Sequence, residues 1–378
     1  MKITCIEKSL KEAINIAERN TSKNKSLPIL QSILLSGKSN ELIIRATNLE
    51  TAIEIKIHAK VENSGTFVVS GKILSSFLSY TDNETITIEE KSNNLFIKTK
   101  QTHTTIRCFQ NNEFPLFPSI ESLFSFSLIP EELKESIKCV LPAVSNSDIK
   151  PELASIFFNI FKNTAKLAAT DSFRLAEKTI ISKKLNLNSV VSFMLPYESS
   201  VELFKLLDSS NDNNIASLGS CDVVSISGNK NQIIFQGDNI RFISRLTDGN
   251  FPDYNQIIPK SFSTETVAKK SDFVSQVKLS GIFAGKLQDI VLDFNQKQKS
   301  IIINSSNSDI GENISTIESS VQGEGGKAKF NWRYISDGVN FIQSDYIIFG
   351  FNGDQSPLSI KGKGDNSYIY LAMPMRGI

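Results

Sequence analysis

The chain repeats itself at a spacing too long for a solenoid, and that limits what it can fold into. The stretch "NNEFPLFPSI" (111–120) is matched by "DGNFPDYNQIIP" (248–259), each after an alternating apolar run, "TTIRCF" or "IRFISRL". Their Phe-Pro pairs, at 114–115 and 251–252, stand 137 residues apart, which is the size of a domain. An amphipathic helix is expected at the start of each third. "SLKEAINIAER" puts Leu10, Ala13, Ile14 and Ala17 on one face, with Ser9 and Glu12 spaced as a capping box. "PEELKESIKCVL" does the same with Leu133, Ile137, Val140 and Leu141, and Pro130 with the following acids suits a helix start. "SDFVSQVKLSGIF" opens on Ser271 and presents Phe273, Val274 and Val277.

Hairpin-like text follows each helix, then a second helix: "GKILSSFLSY", "YESSVELFKLL" and "NWRYISDGVNFI". More hairpins close each unit. "ETITIEEKSNNLFIKTK" alternates Ile86 and Ile88 about a polar turn, "DVVSISGNKNQIIFQ" turns at Gly228-Asn229, and "SPLSIKGKGDNSYIYLAM" turns at Gly362–Gly364. The class is α+β, with three repeated domains per chain, each an antiparallel sheet plus two helices. The expected domains are 1–124, 125–259 and 260–378.

With 40% hydrophobic and 21% charged residues the chain is of globular composition. Its net charge of +1 implies no global attraction to nucleic acid, though a local basic patch acts within a screening length. Cys5, Cys108, Cys139 and Cys221 are scattered without a CxxC, as in a reduced intracellular protein. "MKITCIEKSLKEA" has no apolar leader core and no run approaches eighteen apolar residues, so a cytoplasmic protein with no membrane association is expected.

Catalytic patterns are missing. The two histidines, His58 and His103, sit in strand-like text and read as solvent-facing. There is no GxSxG and no GxxxxGK[ST]. "GEGG" (323–326) reads as a plain turn, and Glu89-Glu90 and Glu131-Glu132 as surface acids. No acidic cluster has metal spacing, so no cofactor or metal is expected and an enzyme is the weaker class of reading.

Lysines and an arginine lie off the apolar faces of the first helices or just after them: Lys11, Arg19, Lys23 and Lys25; Lys134, Lys138 and Lys150; Lys269, Lys270, Lys278 and Lys286. On one helix this is a solvated face. Placed alike three times, it suggests a common positive surface suited to a phosphate backbone without base readout. The chain then ends on "YIYLAMPMRGI", where Met373, Pro374, Met375 and Arg376 join adaptable hydrophobes to a fixed charge.

Four blocks, "SLPIL" (26–30), "ATDSFRLA" (169–176), "SRLTDGNFPDYNQIIP" (244–259) and "MPMR" (373–376), resemble in order and spacing the bacterial DNA polymerase III beta subunit family, the DNA sliding clamps. The resemblance covers the whole chain. It implies a processivity factor and not an enzyme: a head-to-tail homodimer, a six-domain ring with helices lining a hole for duplex DNA, opened by an ATP-driven clamp loader. DNA polymerase III alpha, other polymerases and repair proteins would dock through a short motif of Gln, Leu and Phe character. The implied docking pocket, between domains two and three, uses Leu153 with the block Thr170, Ser172, Phe173, Arg174 and Leu175. Pro252, Gln256 and Ile257 add to it, and Pro357, Leu371, Met373, Pro374, Met375 and Arg376 complete it. The implied DNA-facing residues are Lys11, Lys23, Asn24, Lys25, Lys134, Lys138, Lys150 and Lys278. The implied dimer interface holds Thr104, Ile106, Ile282 and Phe283.

The chain departs from the family in places. Ser172-Phe173 stands where Gly-His is usual, Gly377-Ile378 follow the terminal Arg, and "SGIFAGKLQDIV" replaces the usual interface text. Two rival readings remain: a non-ring duplex-binding protein without sequence preference, and a clamp-like interaction scaffold.

Overall fold

A computed structural model describes residues 1–24, 27–99, 102–147, 149–208 and 217–375. Apart from short 3-10 turns, one order of elements recurs three times: strand, helix, four strands, helix, three strands. The first pass is β1 (Lys2–Ile6), α1 (Glu7–Arg19), β2 (Ser32–Lys38), β3 (Glu41–Thr47), β4 (Thr51–Asn63), β5 (Gly65–Ser70), α2 (Gly71–Ser79), β6 (Thr85–Lys91), β7 (Asn94–Lys98) and β8 (His103–Phe109). The second is β9 (Phe124–Leu128), α3 (Pro130–Val140), β10 (Ser155–Lys162), β11 (Thr164–Thr170), β12 (Arg174–Ile181), β13 (Leu187–Pro196), α4 (Tyr197–Leu207), β14 (Val224–Gly228), β15 (Gln232–Gln236) and β16 (Ile240–Arg245). The third is β17 (Thr264–Lys269), α5 (Lys270–Ile282), β18 (Asp289–Asn295), β19 (Ser300–Asn307), β20 (Gly311–Gly323), β21 (Gly326–Asn331), α6 (Trp332–Asn340), β22 (Tyr346–Phe351), β23 (Leu358–Gly362) and β24 (Tyr368–Ala372).

The chain packs as two compact units, residues 1–134, 182–187 and 201–246 forming one, and 135–181, 188–200 and 247–378 the other. Each holds one twelve-stranded sheet. In the first unit the order is β1-β6-β7-β8-β5-β2-β3-β4-β16-β15-β14-β9, and β1 also pairs with β4, closing the first repeat's strands on themselves. In the second it is β13-β10-β11-β12-β24-β23-β22-β17-β20-β19-β18-β21. The strand pairs described are antiparallel, as for β16 on β4 and β24 on β12. The central repeat is thus shared: β9 and β14–β16 extend one sheet, β10–β13 the other. Backbone pairing between repeats makes the compact units differ from the sequence repeats.

The helices bury the faces that their spacing marks: Leu10, Ala13, Ile14 and Ala17 on α1, Leu133, Ile137 and Val140 on α3, Phe273 and Val277 on α5. Their starts differ from expectation. α1 begins at Glu7 after Ile6, which offers no side-chain cap, and Ser9 is buried inside the helix, so the Ser9–Glu12 box does not form. β1 runs straight into the helix, and the buried Glu7 carboxylate accepts the backbone and side-chain N–H groups of Asn83 at 3.2 and 2.8 Å. α5 likewise starts at Lys270, ahead of Ser271. Side-chain caps are made at α2 and α6: Ser70 Oγ accepts from Ile73 N–H, and Asn331 Oδ1 from Arg333 N–H at 2.9 Å. His58 and His103 are exposed on strands. No helix among the described residues is long and apolar enough to cross a membrane.

Candidate docking site beside the terminal strand

β24 pairs with β12 from Arg174↔Ala372 to Lys178↔Tyr368, which lays Met373–Met375 beside the β11–β12 turn. That turn is fixed several times over. Thr170 Oγ1 donates to the Arg174 carbonyl at 2.6 Å and accepts Ser172 N–H at 3.2 Å. Asp171 Oδ1 accepts the N–H groups of Phe173 and Arg174 at 2.9 and 3.0 Å. Ser172 takes φ +76°, uncommon without glycine. The Phe173 carbonyl then accepts Met373 N–H at 2.8 Å. Phe173 is held outward, 60% exposed, beside a Met373 that is 37% exposed.

Beneath this rim Ala168, Leu175, Tyr254 and Leu371 form a core with Phe157, Phe251, Ile258 and Ile369 packed on it. Phe251 stacks on Phe157 at 4.9 Å and meets Tyr254 edge-on at 5.9 Å. The Tyr254 hydroxyl donates to buried Glu177 at 2.6 Å, and Lys166 pairs with the other carboxylate oxygen at 3.0 Å. Burial first, then the Glu177 bond and charge, push the Tyr254 hydroxyl well above the usual tyrosine range. The Phe-Pro segment is thereby fastened across the sheet, leaving Pro252, Gln256 and Ile257 exposed.

Of the pocket residues expected from sequence, Ser172, Phe173, Pro252, Gln256, Ile257 and Met373 are exposed, and Pro357, Pro374 and Met375 are half-buried. Leu153, Thr170, Leu175 and Leu371 are buried. Arg174 is engaged within the protein. Its guanidinium bonds Asp171 Oδ2 at 2.9 Å and Asp337, and lies 4.4 Å over the Tyr334 ring. Its side chain is 11% exposed. Burial works against its charge, and Tyr370, Asp171 and Asp337 outweigh it. Arg174 therefore ties the turn to α6 and is not a free donor. Arg376, Gly377 and Ile378 lie outside the described residues. A rigid aromatic beside adaptable methionines suits apolar anchors of a short peptide.

The turn has a copy in the first unit, which the sequence reading missed although "ATNLETA" and "ATDSFRL" share Ala-Thr-Asx. Thr47 Oγ1 donates to the Thr51 carbonyl, Asn48 Oδ1 accepts Glu50 and Thr51 N–H, and Leu49 takes φ +76°. Arg245 N–H reaches the Glu50 carbonyl at 2.9 Å, as Met373 does that of Phe173. Here the rim pair is ionic, Arg245 to Glu50 at 3.4 Å, so the apolar rim belongs to the terminal copy.

Among the expected DNA-facing residues, Lys23, Asn24, Lys138, Lys150 and Lys278 are exposed and Lys11 is half-buried; Lys25 lies outside the described residues. Lys134 pairs with Glu131 at 3.1 Å and Asp208 at 3.5 Å, and only 19% of its side chain is exposed. The six helices carry ten acidic and ten basic side chains, so a positive surface must draw on neighbouring loops.

Among the expected interface residues, Ile282 is 63% exposed and Ile106 is 6% exposed. Phe283 and Thr104 are half-buried. Strand alternation points Ile106 into its own unit, and β8 exposes His103, Thr105 and Arg107. What β8 offers is backbone. It pairs with β7 over His103–Arg107 but with β5 only through Cys108 and Phe109. In the second unit β20 pairs with β19 over Gly311–Glu318 and with β17 only from Ser319. β8 in the first unit and β20 in the second thus each leave part of an edge open, besides the strands β9, β13 and β21 that end the two sheets.

Family models described as the N-terminal, central and C-terminal domains of the DNA polymerase III beta subunit match residues 1–118, 127–253 and 255–376. The chain is 25% identical over 389 residues to the "Beta sliding clamp" of Bacillus subtilis, covering all of both proteins, and 24% identical to that of Synechocystis, covering 100% of this chain and 99% of the relative. Among solved structures, the beta subunit from Pseudomonas aeruginosa superimposes with TM-score 0.92 at 20% identity, and the sliding clamp from Bacillus subtilis with 0.92 at 24%, each covering both chains fully. A griselimycin-bound clamp from Pseudomonas aeruginosa superimposes with 0.93 at 20% identity, again covering both chains fully.

Proposed function

The chain belongs to the DNA polymerase III beta subunit family, and from that premise we propose that it is a processivity clamp that closes on duplex DNA as a homodimeric ring. It is a non-catalytic accessory subunit. It works in the cytoplasm, is opened by a clamp loader, slides without reading sequence, and holds polymerases and repair proteins by a short peptide on the Phe173–Met373 rim. The DNA-facing role falls to Lys23, Lys138, Lys150 and Lys278 with the adjoining loops.

The observation that carries the ring is the arithmetic of its edges. β4, β12 and β20 hold the same place in the three repeats, as do β8, β16 and β24. Two of the three possible junctions are made inside the chain: β16 on β4, and β24 on β12. The unmatched strands are β8 and β20, each with part of its edge open. A strand edge recruits a complementary strand, and two copies joined head to tail satisfy both edges twice and close.

The internal junctions also supply a register. Cys5↔Ala59 and Ala268↔Ser319 align β4 with β20, while Ile97↔Thr104, Phe235↔Phe242 and Ile360↔Tyr370 align β8, β16 and β24. Phe242↔Ile53 and Tyr370↔Ala176 then transfer to Thr104 opposite the partner's Asn313. Light scattering at low micromolar concentration is expected to give about twice 41.9 kDa. A monomer there and at tenfold higher concentration removes the ring.

A further inference from the structure

Both junctions made inside the chain are fastened at one acidic position, the sixth residue of the repeat's second helix. In the first unit this is Glu202 of α4. Arg19, the last residue of α1, meets it with Nη2 to Oε1 at 2.9 Å and Nε to both oxygens at 3.2 Å, and Asn20 Nδ2 adds a bond at 3.2 Å. The Glu202 side chain is only 12% exposed. In the second unit the acid is Asp337 of α6, held by Arg174, the first residue of β12. The cation comes once from the end of the first helix and once from the start of the fourth strand.

The remaining junction joins the first repeat's α2 and β8 to the third repeat's α5 and β20. The sixth residue of α2 is Ser76. The last residue of α5 is Ile282, and the first of β20 is Gly311. The acid is therefore missing from the one second helix, and both cation positions are vacant in the one repeat, that would meet there. Loss of both sides of a pair at a shared junction is complementary, and Ile282 is left 63% exposed.

We propose that Ile282 faces the partner's Ser76 across the ring junction as an uncharged replacement for the Arg19–Glu202 pair, and that this difference selects which edges meet. The inference rests on the ring reading above. Setting Ile282 against Glu202, or Arg19 against Ser76, would strip water from an ion with no counter-charge, which disfavours the wrong pairing. The two fastened junctions stay with their own chain, and the uncharged faces are reserved for a second copy.

Dimer dissociation of the full-length protein, measured by sedimentation, tests this with a double-mutant cycle. Ser76→Glu is expected to weaken the dimer by about tenfold or more, and Ile282→Arg also to weaken it. The double variant is expected to recover most of the loss, with a steeper decline in affinity between roughly 0.05 and 0.5 M salt than the unmodified protein. Both positions are exposed in the protomer, so thermal melts of the variants should match the parent. Additive weakening in the double variant overturns the Ile282–Ser76 pairing while leaving the ring intact. Absence of a dimer in the unmodified protein overturns both.

Discussion

A disulfide placed across the ring junction tests the transferred register to a single residue. Directly opposed residues of an antiparallel pair have Cβ atoms about 4.5–5.5 Å apart, close to the roughly 3.5–4.5 Å that a disulfide requires. A slip of one residue shifts the strand by about 3.4 Å and turns the side chain to the other face, which takes the sulfurs out of reach. The matched variants are Thr104→Cys with Asn313→Cys, and His103→Cys with Ile314→Cys. These consecutive positions sample both the wide and the narrow kind of antiparallel pair. Thr104→Cys with Ile314→Cys is the slipped control. After mild oxidation, a non-reducing denaturing gel of at least one matched variant should show a covalent species at about twice 41.9 kDa. The slipped control and the single variants should stay at the protomer mass. Native thiols contribute little background: Cys5, Cys139 and Cys221 are buried, and burial pushes the half-buried Cys108 up to about 11. Efficient cross-linking of the slipped pair, or none in either matched variant of a proven dimer, would refute the register.

Replacing Met373 and Met375 together by Ala should weaken a clamp-binding peptide by more than about tenfold, roughly 1.4 kcal/mol; unchanged affinity by fluorescence anisotropy removes the docking assignment. Tyr254→Phe leaves the Glu177 carboxylate, in a residue 6% exposed, without its 2.6 Å donor and should cost about 1–3 kcal/mol in urea unfolding. An unshifted midpoint would mean the bond is unimportant. Tyr254, Tyr368 and Tyr370 are all raised, burial being the main cause. The unfolded chain therefore ionises first, near the ordinary tyrosine value of about 10. Their stabilisation is complete below that pH and is lost as pH climbs towards the native values, so the melting temperature should fall above about pH 10. A flat alkaline profile would contradict the burial of these hydroxyls.

The repeat was legible because helical spacing and strand alternation are local, and the faces carrying Leu10, Leu133 and Phe273 are buried as the spacing demands. Helix starts were less so: Ser9 and Glu12 have capping-box spacing, yet β1 feeds α1 directly and Glu7 turns to Asn83. Arg174 stood among the implied pocket residues, and its bond to Asp337 was not legible because the two lie 163 residues apart in sequence. The Lys134 pair was hidden for a similar reason, since Asp208 meets it from the end of another helix. Ile106 sits next to exposed residues in an alternating strand, and alternation alone does not say which face is the inner one. The open edges of β8 and β20 are a property of sheet order, which no local pattern in the sequence encodes.

Encirclement itself is tested most directly by DNA topology. The protein is assembled on a nicked circular duplex by its clamp loader, passed through a sizing column in high salt, and then treated with a nuclease that cuts the circle once. The ring predicts retention on the intact circle and release on linearisation, because nothing but topology holds it once phosphate contacts are screened. Equal retention on the circle and on the cut DNA would contradict encirclement and favour a protein that binds duplex directly.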